Sequence, residues 1–174
     1  MAVITFRPLS VDDLPALHGW LTLPHVARWW GGAPTLEEVE KEYGEYIRGE
    51  EPVHGYLVLA DGRPVGHTQW MRYEDYEWYA RILGIDPAGA ANCDVFIGEP
   101  ELLYRGLGAR IVRSFVDEVI FGAPDIERCF IDPEQGNHPA IRAYEKAGFA
   151  FVRDIADDGE GGTVHLMERS RPRP

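Results

Sequence analysis

The sequence predicts an α/β fold of the α+β type, in which one mixed, mostly antiparallel central sheet is flanked by helices. In the first half of the chain, two strand patterns are joined by a short polar turn, which favours antiparallel pairing. The second half alternates strand, helix, strand and helix. That mixed order indicates an α/β arrangement around a single sheet.

Length and composition indicate one domain over residues 1–174. A chain of 174 residues is long enough to bury a core of its own. Hydrophobic residues make up 45 % of it and charged residues 26 %, which is typical of a folded globular protein and not of a disordered one. The last residues, from about 170 to 174, are expected to form a frayed tail.

The first half of the chain carries three strand patterns and two helix patterns. Ser10 is expected to cap the first helix, and Thr35 with Glu38 forms a capping-box pattern ahead of the second. Asp61-Gly62 lies between two strand patterns and predicts a hairpin turn. The predicted elements are a strand over Val3–Arg7, a helix to about Leu21, a helix over Leu36–Arg48, and strands over His54–Leu59 and Val65–Met71.

The second half is expected to begin with an acidic, aromatic loop, RYEDYEWYARILGIDPAGA. Gly148 is expected to end the last helix in a left-handed conformation. The predicted elements are the strand CDVFIG, a helix from about Gly108 to Phe121, the strand ERCFID, the short helix HPAIRAYEKAG, and a hairpin of FVRDI and TVHLME around ADDGEGG.

Acidic residues outnumber basic ones by 29 to 17, so the formal net charge is −12. Such a surface makes nucleic acid a poor partner, because phosphate binding depends on clustered Lys and Arg. A negative surface instead attracts cationic ligands, although solubility alone would also account for the charge. The sequence has neither a membrane-spanning apolar run nor a signal-peptide pattern, so we expect no membrane partner and a cytoplasmic location.

Cysteine and histidine give no sign of a metal site. Cys93 and Cys129 are far apart in apolar strand patterns, and buried free thiols are expected there. The six histidines lack the spacings of known zinc ligands.

Two glycines, Gly106 and Gly108, stand in the stretch LLYRGLGARIV between a predicted strand and a predicted helix. Without side chains there, successive backbone N–H groups can converge on an anion at the positive end of the helix. The turn therefore predicts a pyrophosphate site. The dinucleotide motif GxGxxG fails at Ile111, and the sequence contains no P-loop motif. The residues assigned to this site are Arg105, Gly106, Leu107, Gly108, Ala109 and Arg110.

A second segment, NHPAIRAYEKAGF, predicts an amphipathic helix whose apolar face includes Tyr144. Taken alone, it fits an ordinary helix whose tyrosine hydroxyl is satisfied in the core. Together with the glycine turn, the pattern N-x-x-A-x-x-x-Y-x-K-x-G-F resembles the GNAT acetyltransferase superfamily. This resemblance covers most of the chain and implies that the turn binds the pyrophosphate of acetyl-CoA, the acetyl donor. Leu103 departs from the pattern, because the superfamily usually has Gln or Arg there.

A narrower resemblance lies in WWGG with PTLEEVEKEY, in DVFIGEPELLYRGLG and in AIRAYEKAGF. These segments resemble the aminoglycoside 6'-N-acetyltransferases. The resemblance implies direct acetyl transfer, in a ternary complex, to a primary amine of an aminoglycoside, with the 6'-amine as the first choice. Tryptophans and carboxylates would form the drug pocket, since each ammonium of a polycationic sugar needs an anionic partner. The residues expected to bind this substrate are Trp29, Trp30, Glu74, Asp75, Asp94, Asp132 and Asp157.

Asp94 is the main candidate for catalysis. It alternates with apolar residues in a strand otherwise suited to burial, so its carboxylate needs a function or a fixed partner. We expect it to hold the substrate amine and to take its proton, directly or through a water. The backbone N–H groups of Val95, Phe96 and Ile97 are expected to orient the pantetheine arm of the cofactor and to polarise the thioester carbonyl.

The GNAT resemblance also gives roles to two residues of the second segment. Tyr144 is expected to protonate the departing CoA thiolate, and Asn137 to hydrogen-bond the cofactor arm. Neither cysteine stands in a context that would make it a nucleophile, so no acetyl-enzyme is expected.

Several alternatives stay open at the level of sequence. Through its tryptophan-rich start and HTQWMRYEDYEWY, the chain also resembles a lysine-type N-acyltransferase of siderophore assembly, and another small amine is a further alternative. A non-catalytic sensor that binds CoA or a cation is an interpretation of another class. Trp29 and Trp30 could pack in the core, and Glu74 and Asp75 could lie in a solvated loop. The chain is expected to be a monomer or a homodimer.

Overall fold

The computed structural model describes residues 2–156 and 162–172 and divides the chain into two compact units. Unit 1 consists of Met1–Trp70 and Asp94–Leu107, and unit 2 of Met71–Cys93 and Gly108–Pro174. Two strands have residues in both units. The expectation of a single domain stays a prediction.

Unit 1 holds the first strands of the sheet and three helices. Its elements are β1 (Ile4–Pro8), α1 (Leu14–Leu21), α2 (Pro24–Ala27), α3 (Leu36–Arg48), β2 (Val53–Ala60), most of β3 (Arg63–Arg72) and the last part of β4 (Ala90–Ile97). β1 pairs antiparallel with β2, with Ile4 opposite Ala60. Asp61 and Gly62 have positive φ angles of 49° and 79°, so the predicted hairpin turn between β2 and β3 is confirmed.

Of the predicted helix starts in unit 1, the one before α3 is confirmed. Ser10 instead precedes a 3-10 turn over Val11–Asp13, and α1 begins only at Leu14. The backbone N–H of Ser10 donates to the Asp13 carboxylate at 2.9 Å, ahead of α1. The backbone N–H of Thr35 donates to Glu38 at 2.7 Å, and the Thr35 hydroxyl accepts from the Glu38 N–H at 3.3 Å. The short helix α2 was not predicted, because it is only four residues long and begins with a proline, Pro24. Proline is tolerated in the first turn of a helix, where the N–H has no intrahelical partner.

The core of unit 1 lies between its helices and strands. α1 contributes Leu17 and Leu21, α3 contributes Val39, and β2 contributes Leu57, all buried. Phe96, from β4, closes this cluster. Burial of such aliphatic side chains holds α1 and α3 in place by about 1.5–3 kcal/mol each.

Unit 2 continues the sheet. Its elements are α4 (Glu77–Leu83), the first part of β4, nearly all of α5 (Leu107–Phe115), a π-helical turn over Val116–Ile120, β5 (Arg128–Ile131), α6 (His138–Ala147), β6 (Ala150–Ala156) and β7 (Thr163–Ser170).

Within unit 2, β5 and β7 pair antiparallel with Ile131 opposite Met167, and β6, which spans Ala150–Ala156, pairs antiparallel with β7. β4 and β5 pair in parallel, with Ala90 opposite Arg128. The strand order of the whole sheet is β1-β2-β3-β4-β5-β7-β6. The predicted mixed, mostly antiparallel sheet is therefore confirmed.

The predicted loop after β3 is wrong in part, because it contains helix α4. The sequence there lacks a Ser, Thr, Asp or Asn at the helix start, where Tyr76 stands instead. Tertiary packing stabilises this helix, because Ala80 and Leu83 are buried with Tyr73 and Phe130 in the core of unit 2. The helix predicted to reach Phe121 is α-helical only to Phe115 and ends in the π-helical turn.

The end of the chain is more regular than expected. β7 runs to Ser170, and the Arg171 guanidinium donates to the carbonyls of Phe121, Ala123 and Ile126 at 2.5–2.8 Å. The tail expected from about residue 170 is therefore held by hydrogen bonds at its first residues. No helix in the described parts of the chain is long and apolar enough to span a bilayer.

Candidate active site

Asp94 lies half-buried on the part of β4 that belongs to unit 1. Its backbone carbonyl accepts a hydrogen bond from the Thr68 hydroxyl at 2.8 Å. Its Oδ2 accepts a hydrogen bond from the Gln69 side-chain amide at 3.3 Å. The carboxylate therefore has an uncharged internal donor on β3. Gln69 was not among the predicted site residues, because its pairing with Asp94 depends on the register between two strands.

The paired tryptophans differ in their surroundings. Trp30 packs against the core of unit 1, with its ring 4.9 Å from that of Phe96, and its indole N–H donates to the Tyr43 hydroxyl at 3.0 Å. Trp29 is half-buried, and the Arg28 guanidinium lies over its ring at 4.6 Å. Trp30 is thus a core residue on one side and lines a cleft on the other.

A cleft of about 680 Å³ opens in unit 1 beside Trp30 and Tyr43. α3 lines it with three carboxylates, and Lys41 is the only cation among the described lining residues. These carboxylates were not among the predicted substrate residues. Their spacing of four and three residues, which puts them on one helix face, was the available signal. They are Glu38, Glu42 and Glu45.

Tyr43 connects this cleft with Asp94 electrostatically. Burial raises the pKa of Tyr43 far above its usual value, the hydrogen bond from Trp30 lowers it, and the charges of Glu42 and Asp94 raise it again. The hydroxyl therefore stays protonated at neutral pH. The residue that lines the cleft also lies within the field of the Asp94 carboxylate.

The glycine turn has the backbone that a phosphate group requires. Gly106 has φ +77°, and α5 begins at the next residue and is nine residues long. A β-carbon on Gly106 would meet no described atom within 4 Å, so the backbone of the turn is open to a ligand. The first N–H groups of a helix have no intrahelical partner and can bind an anion. These residues fit the pyrophosphate of acetyl-CoA.

The end of β4 is held firmly within unit 1. β4 pairs with β5 over Ala90–Asn92 and continues beyond this ladder to Ile97. The Ile97 carbonyl accepts a hydrogen bond from Nε2 of His25 at 3.0 Å, and the Gly98 N–H donates to the Val65 carbonyl at 2.8 Å. His25 was not among the predicted site residues. The use of the Val95, Phe96 and Ile97 N–H groups to bind pantetheine stays a prediction.

The second predicted segment forms α6 in unit 2. Asn137 caps this helix, because its side-chain oxygen accepts from the Ala140 N–H at 3.3 Å. Tyr144 is buried, with its ring 6.3 Å from that of Phe149. Gly148 ends the helix with φ +100°, which confirms the predicted left-handed cap. The cofactor contact of Asn137 and the acid role of Tyr144 stay predictions.

Asp132 belongs to a partly buried polar cluster of unit 2. Its carboxylate accepts hydrogen bonds from the Tyr79 hydroxyl and, at 3.3 Å, from the Asn92 amide. Burial raises the pKa of Asp132, and these hydrogen bonds offset only part of that effect. The carboxylate is thus anchored on neutral donors, as Asp94 is in unit 1. Its contact with substrate stays a prediction.

Two further predicted substrate residues lie at the protein surface. Glu74 and Asp75 are exposed, and their charges add to the effect of the Asp125 hydrogen bond in raising the pKa of Arg72. Asp157 lies outside the described residues. Cys93 and Cys129 are buried and do not form a disulfide, as predicted. Within residues 2–156 and 162–172, no group of His, Cys, Asp and Glu is arranged to hold a metal ion.

The fold, the glycine turn at the start of α5 and the α6 segment together define an acetyltransferase. A family model described as an acetyltransferase (GNAT) domain matches residues 10–156. The chain therefore belongs to the GNAT acetyltransferase family, and the predicted resemblance is confirmed.

Similar proteins and solved structures indicate which kind of acetyltransferase the chain resembles. An aminoglycoside N(6')-acetyltransferase type 1 of Klebsiella pneumoniae is 34 % identical over 171 residues, which are 95 % of this chain and 82 % of the relative. The crystal structure of aminoglycoside acetyltransferase AAC(6')-Ib in complex with coenzyme A has a TM-score of 0.82 at 29 % identity, and covers 97 % of this chain and 95 % of that one. A complex of the same enzyme with coenzyme A and kanamycin has a TM-score of 0.81 at 28 % identity, with 97 % and 95 % covered.

Proposed function

We propose that this chain transfers the acetyl group of acetyl-CoA to a primary amine of an aminoglycoside, with the 6'-amine as the first choice. The observation that carries the proposal is the half-buried Asp94 carboxylate, in the same unit as an acidic and aromatic cleft. A polycationic sugar needs both anionic partners and apolar faces for its rings. The aminoglycoside acetyltransferases among its relatives support the assignment.

The glycine turn would bind the donor through its backbone. Gly106 and the first N–H groups of α5 would hold the pyrophosphate, with Arg105 and Arg110 adding positive charge. Acetyl-CoA supplies the acetyl group as a thioester. The N–H groups of Val95–Ile97 would orient the pantetheine arm and polarise the thioester carbonyl.

Asp94 would prepare the nucleophile. The substrate amine arrives as an ammonium ion and cannot attack until it has lost a proton. We assign this proton to the Asp94 carboxylate, received directly or through a water. The free amine then attacks the carbonyl carbon, a C–N bond forms, the C–S bond breaks, and the nitrogen releases its second proton to water.

Tyr144 would complete the reaction. The departing sulfur leaves as a thiolate, and the Tyr144 hydroxyl is assigned as the donor of its proton. Asn137 would add a hydrogen bond to the cofactor arm beside its capping role. No covalent acetyl-enzyme is proposed, since the two cysteines are buried.

The charge and the thiols of the chain suit this reaction. A net charge of −12 attracts a polycation and repels nucleic acid, which we do not propose as a partner. Cys93 and Cys129 are unbridged, which suits a reducing compartment, and we propose a cytoplasmic location. The chain would act as a monomer or a homodimer.

A thiol-release assay with acetyl-CoA and a panel of amines tests the proposal. The panel contains kanamycin, spermidine, a lysine peptide and N6-hydroxylysine. We expect rapid release with kanamycin, and mass spectrometry should locate the new acetyl group on the 6'-nitrogen. Preferred turnover of N6-hydroxylysine would favour the siderophore alternative. Stabilisation by kanamycin or coenzyme A with no turnover of any amine would favour a sensor.

A further inference from the structure

Gln69 contacts the Asp94 carboxylate and is itself contacted by His67. Its Nε2 lies 3.3 Å from Oδ2 of Asp94, and its Oε1 lies 3.3 Å from Nε2 of His67. His67 and Gln69 are two residues apart on β3, so their side chains lie on the same face of the strand. The side chains of His67, Gln69 and Asp94 are therefore linked by consecutive hydrogen bonds within unit 1.

The protonation state of His67 determines which group donates in each of these hydrogen bonds. His67 is fully buried, and burial lowers its pKa to about 4, with the hydrogen bond to Gln69 offsetting part of the effect. The ring is therefore neutral near pH 7 and carries one proton. An amide oxygen can only accept, so the contact with Gln69 requires that proton on Nε2. Gln69 then presents its NH₂ group, and not its oxygen, to Asp94.

Aromatic side chains surround the His67 ring. The ring centroids of Tyr43, Phe96 and Trp30 lie 5.4, 5.7 and 6.2 Å from that of His67. Close packing of this kind limits a side chain to one rotamer. His67 is therefore a fixed donor, and the orientation of the Gln69 amide is fixed with it.

We propose that Gln69, oriented by His67, is a positioning residue for Asp94 in the acetyl-transfer reaction. The inference rests on the proposed role of Asp94 as the group that receives the amine proton. An uncharged donor suits this task, because it directs a carboxylate without neutralising it. A Lys or Arg in its place would compete with the substrate ammonium for the same oxygens.

Two variants test the proposal, one at Gln69 itself and one at His67, which orients it. Gln69→Met keeps the length of the side chain but donates no hydrogen bond, and His67→Phe keeps the aromatic ring but cannot hold the amide. We expect each to lower kcat/KM for kanamycin roughly 10- to 100-fold, with the KM for acetyl-CoA unchanged. Gln135→Met is the matched control, because Gln135 also donates to an aspartate, Asp154, at 2.9 Å. This control should keep wild-type turnover.

The same substitutions in an Asp94→Asn background separate positioning from structural support. A residue that acts only through Asp94 adds nothing once the carboxylate is gone, so the double variants should match Asp94→Asn within about twofold. Thermal melting checks that each variant is folded. If Gln69→Met does not fold, His67→Phe and its double variant decide the question.

The possible failures are distinguishable. Wild-type kcat/KM in the folded single variants, or a further tenfold loss in the double variants, would overturn the positioning role alone. Wild-type turnover of Asp94→Asn would overturn the proposed role of Asp94 and the positioning role with it.

Discussion

The indole N–H of Trp30 donates to the hydroxyl of Tyr43 across 3.0 Å and so joins the tryptophan motif to the buried face of α3. Tyr43 is only 2 % exposed, and Trp30 also packs edge-on against Phe96. The wall of the acidic cleft is therefore held by a partly buried hydrogen bond. The shape of the proposed substrate site depends on one hydroxyl group.

Tyr43→Phe removes that hydroxyl and leaves the Trp30 N–H without its partner. We expect the free energy of unfolding to fall by about 0.5–1.5 kcal/mol, the usual net contribution of one hydrogen bond. The KM for kanamycin should rise severalfold, because the cleft wall is no longer fixed. Chemical denaturation and steady-state kinetics check both effects. Tyr46→Phe is the stability control, since its hydroxyl donates to Glu42 in an exposed bond. Equal stability of the two variants would contradict the role of the Trp30 bond.

Gly106→Ala tests the phosphate turn. An added β-carbon at φ +77° strains the backbone and stands where the pyrophosphate is proposed to bind. Gly62→Ala is a matched control, because Gly62 has φ +79° in the β2–β3 turn and equally open surroundings. Both should lose about 1–2 kcal/mol of stability. Calorimetry should show weaker acetyl-CoA binding for Gly106→Ala only, and equal binding by both variants would argue against the turn.

Tyr144→Phe removes one hydroxyl from a buried ring. As a general acid the hydroxyl should contribute about 10²–10⁴-fold to kcat. The packing of the ring against Phe149 is kept, so the melting temperature should change little. Pre-steady-state kinetics with acetyl-CoA and kanamycin measure the loss. A lower melting temperature with normal turnover would mean that Tyr144 is a core residue only.

Acid should destabilise the protein partly through His67. Its folded pKa of about 4 lies below the ordinary value of 6.5, so between these values the unfolded chain binds a proton that the folded chain does not. This contribution is fully present above pH 6.5 and is lost as pH falls toward 4, on the order of 3 kcal/mol in all.

His67→Phe cannot titrate and isolates this effect. Tyr43, the titratable ring packed on His67, stays neutral throughout that range. Between pH 6.5 and pH 4 the free energy of unfolding should therefore fall less steeply in the variant than in the wild type. Urea denaturation at four or five pH values measures the two slopes, and equal slopes would show that His67 does not ionise on unfolding in this range.

Local signals in the sequence predicted the elements that local interactions determine. The Thr35–Glu38 capping box, the Asp61-Gly62 turn and the Gly148 cap each depend on residues at most a few positions apart, and all three are confirmed. Helix α4 was missed because it has no capping residue and is stabilised by contacts with residues distant in the chain.

The candidate site shows the same division. Asp94 could be singled out, because a carboxylate in an apolar strand is unusual in any fold. Its partner Gln69 is 25 residues away, and the register that brings them together cannot be obtained from composition or periodicity. The spacing of the glutamates in α3 could have indicated an acidic helix face. Only the structure shows that this face lines a cleft together with Trp30.

The most direct test of the account is the rate of kanamycin acetylation by Asp94→Asn, measured per folded molecule by thiol release. Asparagine keeps the size and polarity of the side chain but removes the charge and the capacity to accept a proton. We predict near wild-type melting and acetyl-CoA binding, with turnover lower by roughly two orders of magnitude or more. A variant that unfolds more easily yet acetylates kanamycin at the wild-type rate would contradict the account, because Asp94 would then serve the fold and not the reaction.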